Sequence, residues 1–227
     1  MSARIGVVTF PGSLDDRDAL RAVRIAGAEP VPLWHGDHDL RGCDAVVLPG
    51  GFSYGDYLRA GAIARFAPVM TEIIAAAGAG LPVLGICNGF QVLCEAGLLP
   101  GALLPNAGLR FVCRQVPLTV EHADTHWTSA CGVGEQLSIP VKHSLGRYFA
   151  PPQMLEELES QGQIVLRYGP GGNPNGSLQD IAGVVNEQRN VLGLMPHPEH
   201  AVDPLEGSED GAKIFASVAR HLEAVPA

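Results

Sequence analysis

Charge is scarce in this 227-residue chain: Asp, Glu, Lys and Arg together make up 17% of it, against about 25% in average soluble proteins. A chain so composed keeps much of itself inside sheets or against a partner. Lysine occurs only at Lys142 and Lys213, there is no basic run, and 24 acidic residues against 15 basic ones give a net charge of −9. A surface of that sign does not track nucleic-acid phosphates or an anionic membrane. No Gly-Lys pair is present, so there is no phosphate-cradling nucleotide loop. The five cysteines, Cys43, Cys87, Cys94, Cys113 and Cys131, are odd in number and lack C-x-x-C spacing, which argues against a disulfide framework or a zinc knuckle. From Ile73 to Cys94 the sequence carries no charge and is long enough to cross a bilayer. Gly78, Gly80, Pro82, Gly85 and Gly89 interrupt it, however, and Asn88 and Gln91 lie within it. It therefore reads as the end of a helix, a buried strand and a turn. No apolar targeting core follows Met1, so the expectation is a cytoplasmic protein, folded as one domain over residues 1–227.

Glycine and proline are plentiful, with 28 and 18 residues, and imply many sharp turns. Between them the first half alternates strand and helix. Ile5 to Phe10 is an apolar run closed by Pro11-Gly12, and Asp15 or Asp16 can cap a helix that ends at Gly27. Pro30 to Leu33 and Ala45 to Leu48 are further strands, then come a helix near Ile63 to Ala77, a strand at Val83 to Ile86 and a helix from Asn88 to about Ala96. Continuous apolar strands separated by helices predict an α/β fold: a doubly wound, mostly parallel sheet with flanking helices. The second half is more glycine- and proline-rich, and Phe111 to Val120, Leu137 to Val141, Ile164 to Arg167, Ala182 to Asn186 and Val191 to Met195 read as an antiparallel extension. A last helix, Glu209 to Leu222, has Ser208 available as its cap.

Three short motifs can carry chemistry. Gly85-Ile86-Cys87-Asn88-Gly89 joins a buried strand to a helix, the form of a nucleophile elbow with cysteine in place of serine. There the helix amino terminus favours the thiolate, the reactive form. Residue type alone would make Cys87 a core cysteine, and Cys94, which lacks the glycine frame, reads as one. Met195-Pro196-His197-Pro198-Glu199 follows an apolar strand, and its two prolines predict an extended segment with His197 and Glu199 on one side. A carboxylate so placed can hold an imidazole tautomer and leave the other nitrogen facing the sulfur. The same segment in isolation reads more often as a solvated loop, and a metal reading with His197, Glu199 and His200 lacks a convincing ligand set elsewhere in the chain. Pro49-Gly50-Gly51 ends the strand Ala45 to Leu48 on the same sheet edge as Cys87. Its N–H groups and that of Asn88 are candidate donors for a developing oxyanion, though an ordinary strand-ending turn has the same residues.

Together the Gly-x-Cys-x-Gly elbow, the preceding Pro-Gly-Gly and the late His-Pro-Glu resemble the class I (triad) glutamine amidotransferase family. A closer match to one branch of that family is carried by Phe10 to Ser13, Pro49 to Gly61, Gly85 to Gln91, Glu95 to Gly101 and Asn173-Pro174-Asn175-Gly176-Ser177. The resemblance implies a flavodoxin-like sheet, and glutamine as substrate. It makes Cys87 the nucleophile, His197 the proton shuttle and Glu199 its orienter. It makes the Gly51 and Asn88 N–H groups the oxyanion hole and assigns Gly50 and Gln91 to substrate binding. It implies no cofactor or metal in this chain, with ATP and Mg expected in a large synthetase subunit that, with a small accessory subunit, partners it. One departure concerns His143-Ser144-Leu145-Gly146-Arg147-Tyr148, where the family more usually reads His-Gly-Glu-Gly. Ser144 and Leu145 stand where a glycine and an acid able to pair with the substrate's ammonium group would be. His126-Trp127-Thr128 departs mildly from the usual Pro-Phe-Thr.

Overall fold

The computed structural model describes residues 2–224. Through its first half β1 (Arg4–Thr9), α1 (Asp16–Ile25), β2 (Glu29–Trp34), β3 (Ala45–Leu48), α2 (Pro68–Gly78), β4 (Val83–Ile86) and α3 (Asn88–Glu95) alternate. There follow β5 (Ala102–Leu104), β6 (Val112–Val120), β7 (Gln136–His143), β8 (Arg147–Phe149), α4 (Pro152–Ser160), β9 (Ile164–Tyr168), β10 (Ile181–Val185), β11 (Val191–Leu194) and α5 (Ala212–Ala224). Nine strands form one sheet in the order β2-β1-β3-β4-β11-β10-β9-β6-β7, and β5 pairs with β8 in a separate ribbon. From β2 to β11 every pairing is parallel. From β11 to β7 every pairing is antiparallel. The α/β fold with a parallel sheet and an antiparallel extension is thus as the sequence predicts.

The strand Val191 to Leu194 departs from the expectation of antiparallel pairing on both sides. It runs parallel to β4, with Val191 opposite Val83 and Leu194 opposite Ile86. All four of its residues are buried, as are all of β3 and β4. A short, wholly apolar strand finds cover on both faces only in the middle of the sheet.

Other boundaries move for local reasons. Ala67 is extended, Ala64–Phe66 make a single 3-10 turn, and α2 starts with Pro68 at its first turn, later than the apolar spacing suggests. Likewise α5 starts at Ala212, because Ser208 bridges to Asp203 and accepts from the Asp210 N–H instead of capping a helix at Glu209. The charge-free stretch from Ile73 to Cys94 resolves into the end of α2, β4 and α3. Among the described residues no helix is long and apolar enough to cross a membrane. The short ribbon of β5 and β8 and the helix α4 are elements that apolar periodicity did not disclose.

The consequence for chemistry lies at one edge. β1, β3, β4 and β11 are consecutive neighbours running in one direction, so the loops after Thr9, Leu48, Ile86 and Leu194 emerge side by side. Open α/β sheets place their ligands at that carboxyl edge, where the strand order reverses. Although β7 is last in the order, it also reaches this edge: the His197 N–H donates to the Pro140 carbonyl at 2.8 Å.

Candidate active site

Cys87 occupies the single-residue turn between β4 and α3 with φ 51° and ψ −101°. Backbone in that region is strained for any side chain, and such strain concentrates at functional sites. The turn is possible because its neighbours have no side chains. A Cβ on Gly89 would lie 2.0 Å from the Leu48 carbonyl oxygen, and one on Gly85 would lie 2.7 Å from the Gly89 backbone. The Cys87 side chain faces a cavity of about 110 Å³. Burial pushes the Cys43 and Cys131 thiols up to about 11, and the Cys94 thiol also upward.

His197 is 1% exposed and lines the same cavity. Its Nδ1 lies 2.6 Å from Glu199 Oε1, while its Nε2 is buried without a hydrogen-bonding partner. The segment is not extended as the two prolines suggest. Pro198–His200 form a 3-10 turn, and this turn folds Glu199 back under the ring. Proline is tolerated at the start of a helical turn, where its missing N–H costs nothing. Burial opposes a charge on His197, but Glu199 and Cys87 outweigh it and push the imidazole up to about 10. An imidazolium beside a cysteine is the arrangement that stabilises a thiolate.

Gly51, with φ 145°, lies against the loop after β1: a Cβ there would come within 2.7 Å of the Gly12 carbonyl oxygen and the Leu14 nitrogen. The bridge between the two loops uses Leu14 N–H to Gly50 O and Phe52 N–H to Gly12 O, which leaves the Gly51 N–H outside it. Asn88 is the first residue of α3, where a backbone N–H has no helical partner. Its side chain accepts from the Ser53 N–H at 3.0 Å and donates to Gln91 Oε1 at 2.9 Å, and Gln91 Nε2 donates to the Leu145 carbonyl at 2.6 Å. Gln91 lines the cavity; Gly50 does not. Gly50 sits behind the histidine, where a Cβ would approach His197 Cε1 to 2.6 Å and Asp15 Oδ2 to 2.4 Å.

Four titratable lining residues were given no role in the site from the sequence. Asp15, Asp56, Lys142 and His143 come from α1's entry, the loop after β3, and β7. Asp15 stands at the predicted cap position of α1 but makes no side-chain cap bond. It turns inward instead, with Lys142 Nζ at 2.5 Å and His200 Nε2 at 3.2 Å from its Oδ1. Asp15, His197, Glu199 and His200 hold donor atoms within 4.8 Å of one another, as metal ligands would. The Lys142 ammonium, 2.5 Å from Asp15 and 2.9 Å from His200, already supplies the positive charge there.

The long motifs prove to be supports. A Cβ on Gly61 would meet the Gln91 and Val92 backbone, so the Phe52–Gly61 segment lies directly on α3, and Arg59 forks onto Glu95 at 2.5 and 2.6 Å. Asn175 Nδ2 donates to the Gly146 carbonyl at 2.8 Å and Ser177 Oγ accepts from the Tyr148 N–H at 3.0 Å, fastening residues 143–148 over the cavity.

Residues 2–214 match the family described as the CobB/CobQ-like glutamine amidotransferase domain. Among curated relatives, a protein of Frankia casuarinae is 67% identical over 217 residues, covering 95% of this chain and 93% of its own. One of Mycobacterium tuberculosis H37Rv is 63% identical over 218 residues, with 96% of each covered. Both are named phosphoribosylformylglycinamidine synthase subunit PurQ. Among solved structures, a chain of PurLQS from Thermotoga maritima superposes with a TM-score of 0.90 at 47% identity, covering 98% of this chain and 100% of that one. A putative GMP synthase subunit from Thermoplasma acidophilum, 16% identical with a TM-score of 0.66 over 98% of this chain and 96% of that one, shares the fold.

Proposed function

The chain belongs to the CobB/CobQ-like glutamine amidotransferase family, and from that premise we propose how its cavity serves phosphoribosylformylglycinamidine synthase, whose glutaminase subunit this chain is. The observation that carries the reading is the meeting of Cys87, His197 and Gly51 around one cavity, with Glu199 on the His197 ring and Asn88 directly after Cys87 at the start of α3, delivered by adjacent strand ends.

The side-chain amide of glutamine enters the cavity. His197 Nε2 takes the proton of Cys87 Sγ, and the sulfur attacks the amide carbon. The oxyanion that develops lies between the Gly51 and Asn88 N–H groups, which are fixed in place before the reaction begins. Collapse expels ammonia, which carries off the proton held on Nε2, and leaves a thioester on Cys87. A water molecule then gives a proton to Nε2 and its oxygen to the thioester carbon, and collapse returns glutamate and the thiol. Glu199 holds the imidazole in the tautomer that keeps Nε2 toward the sulfur and stabilises the imidazolium that forms transiently within each step.

Substrate selection falls to the other lining residues. Where the family more usually has an acid, Leu145 contributes its carbonyl to Gln91 and an apolar side chain to the cavity. Of the two lining aspartates Asp15 is committed to Lys142, which leaves Asp56 to meet the substrate's ammonium group. The thioester route balances without a cofactor in this chain. ATP and Mg belong to the large synthetase subunit, which with a small accessory subunit receives the ammonia in the cytoplasm.

The test is labelling with a glutamine-analogue electrophile followed by peptide mapping. The expected adduct is on Cys87 and is suppressed by glutamine. Labelling elsewhere, or none in the assembled complex, contradicts the reading and favours a catalytically silent subunit of the same fold.

A further inference from the structure

A nucleophile, a base and an orienter need one carboxylate on the imidazole, and this site presents two. Asp15 is 3% exposed, and its Oδ2 lies 3.6 Å from His197 Nδ1, the nitrogen that Glu199 already holds. Its position is built rather than incidental. The residue gives up the cap bond its place at α1 offers, and its backbone N–H is fixed on the Gly50 carbonyl at 3.3 Å. Gly50 provides the space in which Asp15 and His197 approach, since a side chain there would strike both. A local rule broken at a buried position, with neighbours shaped to permit it, marks a functional constraint.

The charges around His197 also balance. Glu199 and Asp15 contribute two negative charges, and Lys142, held at 2.5 Å from Asp15, contributes one positive charge. The ring thus faces the net charge of a single carboxylate. The other titratable groups near it are Cys87 between β4 and α3, His200 in the same 3-10 turn with Asp18 of α1 beside it, His143 at the end of β7, and Asp56 across the cavity.

We propose that Asp15 is a positioning residue of the glutaminase site: with Glu199 it supports the His197 imidazolium, and Lys142 sets how much of its charge the ring feels. The proposal rests on His197 carrying the proton between Cys87 and ammonia. Too weak a field leaves Cys87 a thiol; too strong a field holds the proton that departing ammonia requires. Lys142 and Asp15 therefore act in opposite directions on the same ring.

The experiment titrates His197 by NMR in the full-length chain labelled with 15N-histidine, its signal assigned by its loss in His197→Asn. Asp15→Asn keeps the shape, removes the charge and exposes the ring to Lys142; the His197 midpoint is expected to fall by about one pH unit. Lys142→Met removes the opposing charge and is expected to raise the midpoint. In the complex with the synthetase, the alkaline limb of kcat for glutamine hydrolysis moves in the same two directions. Lys142 is partly exposed, so if Asp15→Asn does not fold, the rise in Lys142→Met decides. A His197 midpoint unmoved in both variants, or moved in one direction by both, overturns the proposal. A Cys87→Ala complex that still hydrolyses glutamine overturns instead the glutaminase reading on which it rests.

Discussion

His143 is buried with both ring nitrogens engaged: Nδ1 can donate to Asn106 Oδ1 at 3.1 Å, and Nε2 can accept from Asn175 Nδ2 at 3.4 Å. Burial, with the charge on His197 adding to it, pushes this imidazole down to about 4. In the unfolded chain it protonates near 6.5, so the unfolded state binds the extra proton first. Stability is therefore lost as pH falls from about 6.5 to about 4, by on the order of 3 kcal/mol from this group. In His143→Gln, denaturation midpoints followed across that window should decline less steeply than in the parent. Asp56 makes a second expectation at this scale. Asp56→Asn should raise KM for glutamine about tenfold and change kcat little, because a charge pair to the unreactive end of the substrate is felt equally before and during reaction. Cys87, His197 and Glu199 were legible in the sequence because glycines and prolines frame them locally. Asp15 and Lys142 were not, because the site assembles them from the entry to α1 and from β7, and no spacing within either element marks them; His143 was visible only as the first residue of a family motif.

At the scale of elements, the elbow depends on close packing between α3 and β3. Gly89→Ala places a methyl 2.0 Å from the Leu48 carbonyl, a backbone atom that cannot turn aside as a side chain could. Chemical denaturation should show a loss of about 3 kcal/mol, at the upper end for an overpacked core. The clamp on residues 143–148 gives a milder test. Asn175→Ala removes bonds to the Gly146 carbonyl, the Tyr168 hydroxyl and Ser177. It should loosen Ser144 and Leu145 where they line the cavity, raising KM for glutamine more than it lowers kcat. Most strands were legible from their apolar runs, yet the direction of β11 was not. Four apolar residues say that a strand is buried but not which neighbour it takes, and the β4 partner lies about a hundred residues earlier in the chain. The bend at Pro198 escaped for a related reason: proline excludes the interior of a helix but not its first turn.

For the molecule as a whole, low charge content has two sources in the fold. One is the central strands, buried from end to end. The other is the rim of the cavity, where Leu14, Phe52 and Phe111 are exposed around the opening to Cys87. Exposed apolar side chains at the mouth of a site that must pass ammonia onward are suited to being covered by the synthetase. Phe111→Lys should leave the melting temperature unchanged while weakening co-elution with the synthetase on size-exclusion chromatography. The proposed release of ammonia at Cys87 for use on another chain is checked by Cys87→Ala in the reconstituted synthase, assayed with glutamine and separately with ammonium salt. Glutamine-dependent synthesis is expected to be abolished and ammonia-dependent synthesis retained. Retention of glutamine-dependent synthesis, or loss of both activities in an intact complex, would contradict it.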